Sequence, residues 1–193
     1  MKTPVGGESV PSDMGSVDEP TRHLRMARGA PGGWKADVVH EHVELFAGVN
    51  RRGEPVLEQV PAEMLEPSRF RVTATPGLAW GCAAGDVLDV HPDGTFDVAR
   101  RGGSVAIHVT GRLDQSVVDR LRDEFAPLGA TVEAPQDLRF AVVTVQVTHG
   151  FPAIERATER AIETATRGTV EWHFGNVYDE QGKPLNWWSP PES

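Results

Sequence analysis

The feature that most constrains this chain is a change of hydrophobic period within residues 103–174. Val105, Ile107 and Val109 alternate with Ala106, His108 and Thr110, the two-residue period of a strand. Val117, Val118, Leu121 and Phe125 then fall on one side of a helix, with Asp114 or Ser116 placed to cap it and Pro127 and Gly129 to end it. Thr131–Ala134 reads as a short strand, and Phe140–Thr148, FAVVTVQVT, is the most β-prone run of the chain. Pro152 suits the first turn of a second helix, whose stripe is Ile154, Ala157, Ala161, Ile162 and Ala165, with Gly168 as its stop. Val170, Trp172 and Phe174 restore the period of two.

This β-α-β-β-α-β order predicts a ferredoxin-like module over residues 103–175. In that arrangement the first and third strands are central, and here they are the two most apolar. Right-handed crossovers put both helices on one sheet face. Residues 37–102 read differently, as short strands between turns. Val38–Val49, Val56–Val60 and Phe70–Thr75 are strands, Arg51-Arg52-Gly53 is a turn, and Pro61–Pro67 is expected to form one helical turn. Gly85–Val90 runs into the turn His91-Pro92-Asp93-Gly94, and Thr95–Ala99 returns. The expectation is a small antiparallel sheet curled into a partial barrel. The fold class is therefore α+β. Residues 1–36, rich in Gly, Pro and Ser, are expected to be a flexible leader with Trp34 as its one large aromatic. Residues 176–193 are expected to fold their tryptophans back onto the body.

The hydrophobic share is 39% with 20 glycines in 193 residues, enough for a core. No apolar run reaches the length of a membrane span, and no apolar stretch near the start marks a secretory signal. One cysteine, Cys82, excludes an intrachain disulfide and a Cys-rich zinc site. The cytoplasm is the expected compartment. The net charge of −9 argues against nucleic-acid and anionic-membrane partners. It sits in the folded part, with −4 over residues 37–112 and −6 over 113–193.

The stretches LAWGCAAGDVLDV and GTFDVARRGGSVAIHV, followed by LDQSVVDRLRDEFAPLG, carry a resemblance. From about Val38 to Trp172 the chain resembles a bacterial family known as domain of unknown function 4265. The shared steps are Gly85-Asp86-Val87 and the hairpin end Arg100-Arg101-Gly102-Gly103-Ser104. The resemblance implies a soluble bacterial accessory protein and carries no catalytic residue.

Several residues are candidates for chemistry. His40 and His42 share one strand face with Glu44, the spacing of two imidazoles on a divalent metal, although a solvated strand face is the plainer reading. Cys82, among small apolar neighbours, reads as core filler before nucleophile. Asp86 is expected to accept backbone N–H groups in a turn. Arg100 and Arg101 could clamp an anion, but an internal pairing with Asp97, Asp89 or Glu171 is the first expectation. Trp80, Asp86, Arg100 and Arg101 are the candidate ligand contacts. By strand parity His108, Thr144, Gln146, Glu171 and His173 share the sheet face away from the helices. There His108, Glu171 and His173 could do acid–base work, or the face could be the hydrogen-bonded junction of the two halves.

No motif for a phosphate loop, dinucleotide fold or nucleophile elbow is present. The leading expectation is a non-catalytic acidic accessory, regulatory or immunity-type protein that binds a protein partner, with no cofactor. The alternative is a small hydrolase or isomerase, or a small-molecule sensor, using a His/Glu cluster between the two modules.

Overall fold

The computed structural model describes residues 40–163, 165, 169–179 and 181–189. These belong to one compact unit, Asp37–Ser193. The leader expected over residues 1–36, Trp34 included, lies outside the described residues.

The first half is a five-stranded antiparallel meander of β1 (His40–Val49), β2 (Pro55–Glu66), β3 (Arg69–Val72), β4 (Val87–Val90) and β5 (Phe96–Arg100), hydrogen-bonded in chain order. Alternation buries Val43, Leu45, Val60, Ala62, Val72 and Leu88 on one face. The sheet curls. The Phe46 N–H on β1 donates to the Gly94 carbonyl in the β4–β5 turn at 2.8 Å, bringing opposite edges together. The β1–β2 turn is set by Asn50, whose Oδ1 accepts the N–H of Arg52 at 2.8 Å and of Glu54 at 3.1 Å.

One expectation fails here. Residues 61–67 form no helical turn, because β2 continues through them to Glu66. Its length follows from pairing on both sides, with His42 opposite Pro61 on β1 and Val72 opposite Ala62 on β3. Pro61 is tolerated because its carbonyl, and hence its missing N–H, faces the β3 side where that strand has ended, with Thr73 N–H donating to it at 2.9 Å.

The second half is a four-stranded antiparallel sheet of β6 (Ser104–Gly111), β7 (Thr131–Glu133), β8 (Phe140–Gln146) and β9 (Val170–Phe174), in the order β7-β8-β6-β9. Helix α1 (Gln115–Phe125) joins β6 to β7, and α2 (Phe151–Ile162) joins β8 to β9. Both helices pack on one face. Val105, Ile107 and Val109 of β6 share a core with Val143 of β8, Leu121 and Phe125 of α1, and Ile154 of α2. Each such side chain stabilises by roughly 1.5–3 kcal/mol.

Asp114, not Ser116, caps α1. Its carboxylate accepts the Val117 N–H at 3.0 Å, and the Ser116 hydroxyl donates to it in turn. Helix α2 stops at Ile162, short of the expected Ala165. The Ala165 N–H donates to the Ile162 carbonyl, an i→i−3 bond that closes the end tightly. Gly168 lies outside the described residues.

A joint connects the halves. Asp86, with none of its surface exposed, accepts N–H groups from Ala83 at 3.0 Å and Gly102 at 2.7 Å, and an Arg101 N–H at 3.0 Å. The Gly85 and Gly102 backbones touch, and a Cβ on Gly102 would lie 2.3 Å from the Gly85 carbonyl carbon. Gly102→Ala is therefore expected to lower stability by about 1–3 kcal/mol through overpacking, measured by urea unfolding. A variant as stable as the parent would show that the joint is looser than this contact implies.

Candidate functional site

Loop 73–86 crosses between the sheets, and a strand residue shapes it. Glu58 sits on the inward register of β2 with Val56, Val60 and Ala62. Its carboxylate accepts the backbone N–H of Gly77 at 2.7 Å, Leu78 at 2.8 Å and Ala79 at 2.8 Å. An ionised carboxylate only accepts, and charge strengthens each bond. With the backbone so held, Ala79 is buried while Leu78 and Trp80 face outward, 39% and 50% exposed.

The inner side of Trp80 rests on the second sheet. Its ring stacks on His108 of β6, centroids 4.9 Å apart and planes at 27°, and lies 6.1 Å from the ring of His173. His108 and His173 face each other across β6 and β9. His108 is 1% exposed and its Nδ1 lies 3.2 Å from the Gly77 carbonyl. That contact assigns the proton to Nδ1, which donates, and leaves Nε2 a bare acceptor. Nε2 is buried and has no hydrogen-bond partner among the described residues. It lies against Gly175, where a Cβ would come within 2.4 Å. Burial pushes the His108 imidazole below its ordinary pKa. The Gly77 carbonyl and the Glu58 charge oppose that shift, and His173 adds to it. Further contacts seal the loop to the second sheet. The Thr75 and Thr144 hydroxyls hydrogen-bond, and the Gly81 N–H donates to the Gly175 carbonyl at 2.8 Å.

Two clefts flank the ridge made by Leu78 and Trp80. One, about 440 Å³, is walled by Phe46, Phe96 and Val98. The other, about 370 Å³, is lined by Val56, His108, Thr110, Arg139 and Phe140. The Arg139 guanidinium lies 5.7 Å from the Phe140 ring centre and 3.5 Å from the Asp137 carboxylate.

The other candidates are distributed as follows. Cys82 is fully buried, and burial pushes its thiol far up, so it stays protonated. Burial also raises the Asp86 carboxyl, against the pull of the Gly102 N–H and Arg101. Arg101 pairs with Asp86, not with Asp97, Asp89 or Glu171. It also donates to the Gly81 carbonyl at 2.8 Å and lies 5.6 Å from the Trp187 ring centre. Arg100 is exposed at the end of β5. Glu171 and His173 share the sheet face of His108, with His173 opposite it, but both are exposed where His108 is buried. His42 is exposed and lines a cleft with Glu44 and His91. The His40 side chain lies outside the described residues, among which no three ligating side chains form a metal site.

The arrangement thus offers a rigid aromatic ridge between apolar walls, over an imidazole that solvent does not reach. The sequence reading missed Glu58, Leu78 and Gly175. Glu58 left a signal, as an acid set between Val56 and Val60 on the inward parity. Leu78 and Gly175 left none, since their roles exist only once the sheets meet.

Two outcomes are expected. Glu58→Ala leaves the loop N–H groups without their carboxylate and should cost about 2 kcal/mol by urea unfolding, with Glu58→Gln losing less. The second concerns pH. His108 is neutral in the fold, while the unfolded chain binds a proton below about pH 6.5. Stability should therefore fall as pH drops below about 6.5, and this part of the slope should vanish in His108→Asn, measured by denaturation at a series of pH values.

The comparisons with known proteins concern family and fold. No curated protein matches the chain. A solved structure described as a hypothetical protein from Neisseria gonorrhoeae is similar in fold, with a TM-score of 0.53 at 10% identity, over 71% of this chain and 94% of that one. A family model described as "Domain of unknown function (DUF4265)" matches residues 58–172, which hold Glu58, the Trp80 ridge, His108 and the Asp86 joint. The chain belongs to the DUF4265 family of domains of unknown function.

Proposed function

We propose that this protein is a non-catalytic binding protein that receives a segment of a basic protein partner on the ridge of Leu78 and Trp80. The observation that carries the reading is the half-exposed Trp80, braced from behind by His108 and flanked by two clefts with aromatic walls, Phe46 and Phe96 on one side and Phe140 on the other. Interface energy concentrates in such aromatic anchors, pre-set by their surroundings and ringed by contacts that exclude water. The clefts on either side would take the apolar side chains of the segment. The net charge of −9 favours encounter with a basic partner. Three of the groups suited to catalysis serve the fold instead. Cys82 is sealed in the core, Asp86 holds the joint, and His108 lies under the ridge.

The order β7-β8-β6-β9, with both crossover helices on one face, supports reading the second half as a ferredoxin-like module. The curled first sheet, read as a partial barrel, would then present the ridge. On this reading the protein works as an accessory or regulatory factor in the cytoplasm, without a cofactor.

Native mass spectrometry of the untagged protein from its own host should show a co-purifying polypeptide at fixed stoichiometry. Trp80→Ala should then weaken the purified pair by at least about 2 kcal/mol, roughly thirtyfold in Kd, by calorimetry. Raising salt should slow association. A partner that binds the Trp80→Ala protein as tightly as the parent would sink the reading. So would a bound small molecule or metal with no polypeptide, which would favour the sensor or enzyme alternative.

A further inference from the structure

The ring under Trp80 is the group in this region least suited to carrying a proton. His108 uses Nδ1–H on the Gly77 carbonyl, 3.2 Å away. Its second nitrogen is buried, has no partner among the described residues, and abuts Gly175. A proton on Nε2 would create a buried cation and a second N–H with no acceptor in reach. Such a group is expelled or hydrated, not tolerated. Each element packed on the ring matters to this balance. From β9 comes His173, whose own protonation would add like charge. From β2 comes the Glu58 carboxylate, already committed to loop N–H groups. From loop 73–86 come the Gly77 carbonyl and the Trp80 ring. Arg139 lines the same cleft as His108. Opposite His108 on β8 stands Val142, which has no charge to offer.

We propose that His108 is an acid-sensitive latch for the Trp80 ridge. Neutral, it holds the loop by the Gly77 bond and the Trp80 stack. Protonated, it leaves its slot beside Gly175, gives up the Gly77 carbonyl and removes the support of Trp80, while Glu58 keeps the Gly77, Leu78 and Ala79 N–H groups, so that the ridge is braced at neutral pH and loosened in acid. Attachment elsewhere survives, because Asp86, Arg101 and Gly102 hold the joint without His108. The change is therefore local. Its consequence for partner binding rests on the function proposed above, whereas the latch itself does not.

The test reads Trp80 and the fold separately, without a partner. The Trp80 emission is obtained as the difference between the parent and Trp80→Phe, followed from neutral pH into the acid range beside far-ultraviolet circular dichroism. The expected result is a quenched and red-shifted Trp80 signal with a midpoint below about pH 6.5, at unchanged circular dichroism. His108→Asn should abolish that transition and His173→Gln should keep it. Loss of the transition in His173→Gln alone would overturn the proposal in favour of His173. Loss of circular dichroism at the same midpoint would overturn it as global acid unfolding. If His108→Asn does not fold, amide spectra of the parent decide. Gly77, Leu78 and Gly81 resonances should move with the His108 titration while those of β8 stay. Fixed Gly77 and Gly81 resonances would overturn the latch. With a partner in hand, a latch that responds to acid while affinity does not would count against the binding role alone.

Discussion

A carboxylate with no surface in water has to be answered by donors, and the meeting of the two sheets is organised around that demand. Asp86 takes N–H groups from its own loop, from Gly102 and from Arg101. Removing one partner of such a buried pair commonly costs 3–5 kcal/mol, because the other charge is left stranded. The donors come from either side of the passage between sheets, so satisfying Asp86 also sets where β6 begins relative to β4. Gly85 and Gly102 have no side chains at the contact, and this lets the two backbones close on it. The steps that carry the family resemblance, Gly85-Asp86-Val87 and Arg100 to Ser104, are the two sides of this joint.

The ridge depends on that joint. Loop 73–86 starts at the end of β3 and returns through Asp86, so its two ends are fixed before Glu58 gathers its middle. Held that way, the loop can place a large apolar ring half in water without collapsing it into the core. The tail adds to the same construction. Asn176 is fully buried, accepting the Ala106 N–H at 3.0 Å and donating to the Ser104 carbonyl at 2.9 Å, so its side chain continues the pairing of β9 along β6. The Trp187 indole donates to the Asn176 carbonyl at 2.7 Å, and its ring meets Arg101.

Much of the scaffold was legible because periodicity reports which side of an element is dry. The parity of Val105, Ile107 and Val109 identified the helix-facing side of β6, and Val117, Val118, Leu121 and Phe125 identified the buried face of α1. Pro61 misled because a proline disqualifies a strand only where its N–H is needed, and that depends on where β3 ends. The polar parity of His108 and Thr144 was readable. Whether that face stayed wet was not, since only the placement of loop 73–86 over it decides this.

The amino-acid sequence by itself determined the α+β class, the turn at Gly94, the stop at Gly129, and which residues of β6 and α1 face which way. These are local matters, set by backbone sterics and by the spacing of apolar side chains. Tertiary structure alone decided which Arg101 partner was real, that Glu58 would shape a loop about twenty residues on, and that His108 would be sealed beneath Trp80. Each of those contacts joins residues far apart in the chain. Its existence turns on loop closure and on the competition for a limited number of buried donors, which no window of sequence contains.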